Sequence, residues 1–196
     1  MQGTRNKVPR RRVKELIHDL LSHVLVKNGF NIERFAPNPH PDISQLHVRR
    51  TVDALIDDSS ELFTNLGDQL HMTSENIHLI FMGISDEIFV TGINWGRIVA
   101  FLAFGGSVMV HCANNSELVL FLDEISEWMT EYIEDNLRVW VEEHGGWDGF
   151  VNFFKLPGGD DFFQNELDFK NWSLYALAGF SIGALIMFAT NQINHS

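Results

Sequence analysis

Two Glu-x-x-His sequences are the residues of this chain whose type and spacing best suit metal chemistry. Glu15 and His18 form the first, and Glu75 and His78 form the second. This spacing puts a carboxylate and an imidazole one helical turn apart, as in the helical bundles that hold two iron ions. Three glutamates further along the chain have the right type to supply the remaining carboxylates: Glu124, Glu127 and Glu131.

The helical pattern around these sequences argues against a metal site. At ~100° per residue, Glu15 and His18 lie off the apolar face of their segment, and Glu75 and His78 lie off the face of theirs. Ligands of a di-iron bundle must point inward. No glycine-rich phosphate loop follows a strand, and the single Cys112 follows an apolar run, which is typical of a buried, inert thiol. We therefore expect no catalytic residues, no metal and no cofactor, and we interpret the chain as a non-enzymatic binding protein.

Arg97 has the pattern of a binding residue. It follows Asn94, Trp95 and Gly96 at the start of an apolar run, and it is the only charged residue between Trp95 and His111. An isolated cation in apolar surroundings is costly unless an anion meets it. A partner could supply that anion, and so could the chain itself, from Asp53, Asp86 or Glu87.

The overall charge and the single cysteine exclude several classes of protein. The formal net charge of the 196 residues is −12, which argues against general nucleic-acid binding. Six basic residues nevertheless lie within the first fourteen positions, in a stretch that we interpret as a solvated tail, with a patch for anionic lipid as the alternative. A lone cysteine fits a reducing compartment.

The stretch 172–190 predicts a membrane anchor. Its nineteen residues carry no charge, and as a helix they would reach roughly 28 Å, close to the thickness of a bilayer core. The alternative is a buried core helix. With so few residues after it, insertion would follow synthesis and leave residues 1–170 facing the cytosol.

Apolar residues recur at spacings of three and four almost everywhere, which predicts an all-α fold. A first amphipathic helix begins near Val13 and ends at Gly29, and Pro37, Pro39 and Pro41 mark a linker. A second amphipathic segment extends to Leu66 and is broken by Gly67 and the pair Thr73-Ser74. Ser74 is the expected cap of a third helix, whose buried face includes Ile77, Ile84 and Ile88.

The middle of the chain predicts a central apolar hairpin wrapped by amphipathic helices. Trp95 to Val110 is apolar on nearly all sides, and Leu118 to Met129 is nearly as apolar. The solvated stripe of the second helix is expected at Glu124, Glu127, Glu131 and Glu134. Two short helices then follow, one ending at the pair Gly145-Gly146 and one covering about 147–154.

Three of these segments resemble the homology motifs of the Bcl family of apoptosis regulators. Residues 87–106 resemble that family's first motif, 139–154 its second and, more loosely, 11–30 its fourth. The resemblance implies a basic tail at 1–10, a helical domain at 11–156, a linker at 157–171 and a transmembrane tail at 172–190. The third motif matches least well. Val48, Asp53 and Leu55 fit its pattern, but Val52 stands where the family has a small residue, so this segment is expected to be a wall of the chain's own groove.

The resemblance implies a surface groove that accepts an amphipathic death-motif helix from a pro-apoptotic relative. Asn94 would cap the helix start, Gly96 would allow close approach, and Arg97 would pair with an aspartate of the partner helix. The expected floor and walls are Leu55, Phe63, Leu66, Ile84, Ile88, Val99, Ala100, Phe104 and Phe153. Ordinary core packing is the alternative for each of these apolar residues. Homodimers or heterodimers with relatives are also implied.

Family members with this layout either protect cells by sequestering death-motif helices or kill them by perforating the outer mitochondrial membrane. Three features favour the protective role: the Phe104-Gly105-Gly106 end of the first motif, the recognisable fourth motif, and the departure at Val52. The predicted function is inhibition of cell death at the mitochondrial membrane, with the endoplasmic reticulum as a second location. The alternatives are a pore-forming executioner and, more distantly, the di-iron enzyme.

Overall fold

The computed structural model describes residues 10–63 and 66–154, and within these ranges the chain forms helices and turns without a strand. The α-helices of the described residues are α1 (Arg10–Lys27), α2 (Ile43–Asp58), α3 (Ser60–Phe63), α4 (Leu66–Gln69), α5 (Ile77–Phe89), α6 (Trp95–Asn114), α7 (Leu122–Tyr132), α8 (Arg138–Glu143) and α9 (Gly146–Phe154). Short 3-10 turns cover Glu33–Phe35 and Val119–Phe121, and a π-helical turn covers Ile133–Leu137. The predicted all-α class is confirmed. The proposed membrane tail at 172–190 lies outside the described residues.

Helix α6 forms the centre of the fold. It packs against α1, α2, α3, α4, α5 and α7, and most of its side chains are buried. In the described part of the chain it is also the one helix whose length and composition would suit a bilayer, but 72% of its apolar window is buried inside the protein, as in any core helix. The Phe101 ring lies 5.1 Å from that of Tyr132, and Gly105 faces Met129, so α7 runs antiparallel to α6.

Helix α7 is more one-sided than the sequence predicted. Its apolar face, which includes Leu122 and Met129, is buried, while Asp123 and Glu124 are exposed. The hairpin is therefore present, but only α6 is surrounded on all sides. The expected solvated stripe also ends early, because the Glu134 side chain is only 14% exposed.

The predicted start of the third helix was wrong. The helix begins at Ile77, with Asn76 rather than Ser74 in the N-cap position. The Asn76 side chain accepts a hydrogen bond of 2.7 Å from the Thr73 amide, so it closes the turn before the helix.

The second amphipathic segment is three helices, and Gly67 lies inside α4 instead of breaking it. The ring of His111 occupies the space where a Gly67 side chain would begin. Gly67 is therefore needed for close packing of α4 on α6. The glycine after α1 behaves as predicted, since Gly29 has a φ of +85° at the end of the helix.

A row of charged pairs joins α1 to α2. The pairs are Asp19 with Arg49, His23 with Asp53, and Lys27 with Asp57. Each pair joins residues thirty positions apart, and the pairs recur every four residues, so the two helices run parallel and in register. We call this row the α1–α2 ladder.

The first pair of the ladder is buried. The Asp19 side chain is 2% exposed and that of Arg49 is 14% exposed. Arg49 Nε donates to Asp19 Oδ2 at 2.8 Å, and Arg49 Nη2 donates to Asp19 Oδ1. Both carboxylate oxygens are thus matched by the planar guanidinium, which offsets their loss of water.

Breaking the buried pair should destabilise the protein strongly. We expect Asp19→Asn to lower the free energy of unfolding by about 3–5 kcal/mol, because Arg49 keeps its charge without a buried partner. Asp57→Asn is the matched control, since the Asp57 side chain is 69% exposed, and an exposed pair contributes about 1 kcal/mol or less. Urea unfolding followed by circular dichroism measures both. Equal losses for the two variants would contradict the assigned role of the buried pair.

The two adjacent glycines of α6 should respond differently to alanine. A methyl group on Gly105 would overlap the Met129 thioether, which is fully buried, whereas on Gly106 it would lie 3.4 Å from Val24. We expect Gly105→Ala to destabilise the protein by about 1–3 kcal/mol through overpacking. Gly106→Ala should be neutral or stabilise by up to ~1 kcal/mol, because alanine favours the helix. Thermal unfolding of both variants tests this, and a Gly105→Ala variant as stable as Gly106→Ala would show that α7 can shift freely.

Candidate functional site

Arg97 lies in the first turn of α6, where its surroundings fix its direction. Asn94 is the N-cap, as predicted, and its side-chain oxygen accepts from the Arg97 amide at 2.9 Å. The guanidinium of Arg97 points back over the turn between α5 and α6. Its Nη1 donates to the Gly92 carbonyl at 2.6 Å, and its Nη2 donates to the Thr91 hydroxyl. Two neutral acceptors therefore hold a half-buried cation in place.

The acids that were candidates for an internal ion pair do not meet Arg97. Among residues 10–63 and 66–154, no carboxylate oxygen lies within 4.0 Å of an Arg97 nitrogen. Asp53 pairs with α1, and Asp86 accepts from the Tyr132 hydroxyl at 3.0 Å. Burial raises the pKa of Tyr132, and its contact with Asp86 raises it further, so the hydroxyl stays a donor. Within this part of the chain the positive charge of Arg97 remains uncompensated.

Asp53 is held in its charged form by α1. Burial alone would raise the pKa of this carboxyl, but the hydrogen bond and charge of His23, together with Lys27, bring its pKa below the ordinary value. The distances are 2.8 Å from His23 Nε2 to Asp53 Oδ2 and 3.2 Å from Lys27 Nζ to Asp53 Oδ1. The acid of the third motif thus faces α1 and belongs to the ladder.

Arg97 begins a stripe of residues along one face of α6. Ala100, Phe104, Ser107 and His111 follow it at alternating spacings of three and four, so all five lie on the same side of the helix. At 1.5 Å per residue the stripe is about 21 Å long. We call the surface above it the α6 groove. Its walls are α5 on one side and α2, α3 and α4 on the other.

The far end of the α6 groove is open. A cavity of about 540 Å³ lies there, and six of its lining residues are Val24, Ile56, Phe63, Leu66, Ser107 and His111. Phe63 and Leu66 were predicted groove residues, whereas Ser107 and His111 were not. The spacing of the stripe was the signal that could have found the last two.

The middle of the α6 groove is closed. Ala100 and Phe104 have no exposed surface, and the Phe104 ring stacks on Phe81 of α5 with centroids 5.2 Å apart. The other predicted apolar positions on the floor and walls are likewise 0–7% exposed: Leu55, Phe63, Leu66, Ile84, Ile88 and Val99. In this structure these residues pack as core, so a helix could reach them only if the walls moved apart.

The three remaining predicted residues lie at different depths. Gly96 is buried next to Arg97 in the first turn of α6, while Asn94 is exposed. Phe153 is 57% exposed on α9, which packs against α2.

The first and second homology motifs carry Trp95 and Trp147, and these two tryptophan motifs meet in space although some fifty residues separate them. The Trp95 ring lies 4.9 Å from Trp140, 5.5 Å from Phe150 and 6.3 Å from Trp147. Trp95 and Trp147 are 5% and 3% exposed, so both are packing residues. At Gly149 a side chain would overlap the carbonyl oxygen of His144, which explains the glycine in the second motif.

The two Glu-x-x-His sequences do not converge on a common site. Glu15 pairs with Arg11 at 2.7 Å, and His18 Nε2 lies 2.9 Å from the Arg34 carbonyl. Glu75 and His78 are exposed on a different part of the surface. In the ranges that the structure describes, no three His, Cys, Asp or Glu side chains come together in a way that could hold a metal ion. Cys112 is buried, and burial raises its pKa to about 12.

Comparison with known proteins identifies the family. Residues 48–147, just over half of the chain, match the family model of apoptosis regulator proteins of the Bcl-2 family. Bcl-2-like protein 1 of Gallus gallus is 32% identical over 164 residues, which cover 80% of this chain and 69% of the relative. Apoptosis regulator Bcl-2 of Canis lupus familiaris is 36% identical over 150 residues, which cover 76% and 61%. The alignment with human Bcl-2-like protein 1 covers only 53% of that relative.

The fold also matches a solved complex. The crystal structure of Trichoplax adhaerens trBcl-2L2 bound to trBak BH3 superposes with a TM-score of 0.69 at 26% identity, covering 74% of this chain and 99% of the other. The all-helical fold, the two tryptophan motifs and these matches lead to one conclusion: the chain belongs to the Bcl-2 family of apoptosis regulators.

Proposed function

We propose that this protein binds the amphipathic death-motif helix of a pro-apoptotic relative in the α6 groove and thereby inhibits cell death. The observation that carries the proposal is the charge of Arg97 at one end of the groove, which no carboxylate of residues 10–63 and 66–154 compensates. A guanidinium held by two neutral acceptors still attracts a carboxylate, and its planar fork suits a two-point hydrogen bond. The related Trichoplax protein was solved with a BH3 segment bound, which supports a helical partner.

Binding would require α5 and α3–α4 to separate over the middle of the groove. Among the described helices, α5 packs mainly on α6, with side-chain contacts to α7, and it does not pack closely on α2. It can therefore move without breaking the α1–α2 ladder. A partner helix would replace the contacts that Ala100 and Phe104 now make with α5, and its aspartate would meet Arg97.

The position of α2 supports the protective role. A segment that acts as a death-motif ligand must turn its apolar face and its aspartate outward. Here Val48, Val52 and Leu55 have no exposed surface, and Asp53 is bound to α1. Turning α2 outward would also break the buried pair between Asp19 and Arg49. The α1–α2 ladder thus favours a protein that receives a helix over one that offers its own.

Reversal of the Arg97 charge should abolish most of the binding. We expect Arg97→Glu to keep the fold and to cost roughly 2–5 kcal/mol of affinity for a death-motif peptide, because two carboxylates would then face each other. Titration calorimetry with the full chain measures the affinity, and circular dichroism checks the fold. Arg11→Glu is the matched charge reversal, since the Arg11 side chain is 84% exposed on α1, away from the groove. Unchanged affinity in Arg97→Glu, or a parallel loss of helix content, would refute the role of Arg97.

A release assay distinguishes protector from executioner. The full chain, added to mitochondria or liposomes with an executioner of the family, should block release of the contents, and Arg97→Glu should not block it. Release caused by this protein alone would reverse the assignment and favour the pore-forming alternative.

We further propose that residues 172–190 anchor the protein in an intracellular membrane, with the outer mitochondrial membrane as the first candidate and the endoplasmic reticulum as the second. The support is the length of this uncharged stretch. Microscopy of cells that express the full chain or a chain without 172–190 tests the proposal, because the shortened chain should lose its membrane association.

A further inference from the structure

A second cavity shares no lining residue with the cavity at the far end of the α6 groove. It has a volume of about 360 Å³ and is formed by the start of α1, the π-helical turn, α8 and the start of α9. Small-molecule sites in proteins usually measure roughly 300–1,000 Å³. We call it the α8–α9 cavity. Nothing in the proposed binding of a death-motif helix uses it.

The charges around the α8–α9 cavity are unbalanced. Two arginines and three carboxylates line it. Arg12 lies 3.7 Å from Asp148, and Arg138 lies 3.2 Å from Glu142. Glu134 is the third carboxylate and has no arginine of its own in this lining. Its Oε2 lies 3.8 Å from Nε of Arg138, which already pairs with Glu142. The cavity therefore carries one negative charge that its arginines do not balance.

One carboxylate oxygen of Glu134 has no hydrogen-bond donor among the residues that the structure describes. The side chain is 14% exposed, and its Oε1 is buried without a partner within the described residues. A buried acceptor left without a donor is rare and costs free energy. Rotation about the last side-chain bond is easy for a glutamate, so either oxygen can face the cavity. The π-helical turn that carries Glu134 is itself a rare conformation, and such turns are frequent at functional sites.

Apolar side chains form another part of the α8–α9 cavity wall. Val13, Val141 and Trp147 form part of the lining, and all three are at most 6% exposed. A ligand that suits this site has one positively charged donor for Glu134 and an apolar body for these walls. We propose that the α8–α9 cavity binds a small organic cation, a primary ammonium compound with an apolar body, through the carboxylate of Glu134.

The proton affinity of Glu134 gives the site a pH dependence. Burial raises the pKa of Glu134, and Glu142 and Asp135 add to this, while Arg138 and Arg10 oppose it. Arg12 on α1 and Asp148 on α9 face the same cavity. A bound cation favours the charged carboxylate, so binding should strengthen as the pH rises through the pKa of Glu134 and weaken as it falls.

Phenethylammonium chloride is a suitable probe, and 2-phenylethanol is its neutral counterpart of nearly the same shape. Both are titrated into the ¹⁵N-labelled full chain, and the amide shifts of Gly145 and Gly146 in the cavity wall are followed. We expect saturable shifts with the ammonium and affinity weaker by about tenfold or more for the alcohol, because the charge-assisted hydrogen bond is lost.

Two variants locate the site. Glu134→Gln removes the charge but keeps the shape, and it should weaken binding of the ammonium by about tenfold or more. Glu143→Gln makes the same charge change at an exposed position of α8 outside the lining, and it should leave the affinity unchanged. Thermal unfolding checks that both variants fold.

Three results would overturn the proposal: no saturable shift with the ammonium, equal affinity for ammonium and alcohol, or unchanged affinity in Glu134→Gln. The proposal does not depend on the role of the α6 groove. Binding of a death-motif peptide should be the same in wild type and Glu134→Gln, so the two ideas can fail separately.

Discussion

The rest of this structure depends on one constraint: α6 is apolar around its whole circumference and must be covered on every side. An apolar surface exposed to water costs free energy, and six other described α-helices pack against α6. The apolar faces of these amphipathic helices serve this purpose. Gly105 in the middle of α6 allows α7 to approach closely, and Gly67 does the same for the packing of α4 on α6.

Arg97 is the exception to this constraint, and its position explains how a charge is tolerated there. It lies in the first turn of α6, where backbone amides are already capped by Asn94 and where the preceding turn supplies two oxygen acceptors. The two acceptors solvate the cation, and no acid in the part of the chain that the structure describes neutralises it. A charge in this state costs little in the free protein and still has a strong interaction to offer a carboxylate. The contacts that stabilise Arg97 in the free protein therefore leave it able to bind a carboxylate.

The α1–α2 ladder and the α6 groove are connected through α2. The same helix supplies a groove wall with its apolar face and joins α1 with its charged face. Because the buried Asp19–Arg49 pair and the Asp53 contacts hold the second face, the wall on this side is rigid. The opposite wall, α5, rests mainly on α6 and α7 and has no such fastening in the described part of the chain. Any opening of the groove is thus expected on the α5 side.

Local sequence was sufficient to predict those features of the structure that depend on one short pattern of residues. The periodicity of α1 and α5, the cap at Asn94, the glycine at 29 and the burial of Trp95 and Trp147 all follow from residue type and spacing, because each depends on neighbours within a turn or two. The resemblance to the family also lies in short motifs that can be read directly. The uncertain residues were those whose environment comes from distant segments.

Only the tertiary structure decided which charges pair and which apolar residues stay accessible. Glu134 continues a stripe that looks solvated, yet a π-helical turn places it in the wall of a cavity with Arg138 and Trp147. From the sequence Gly67 is expected to break a helix, yet it lies inside α4. The ring of His111, forty-four positions away, fills the space where a side chain of residue 67 would lie. The sequence could not show whether Arg97 pairs with an internal acid. Asp53 was one candidate, and only the packing of α2 on α1 shows that Asp53 contacts His23 and Lys27 instead. Periodicity assigns a residue to a face of its own helix, but packing between helices determines what that face meets.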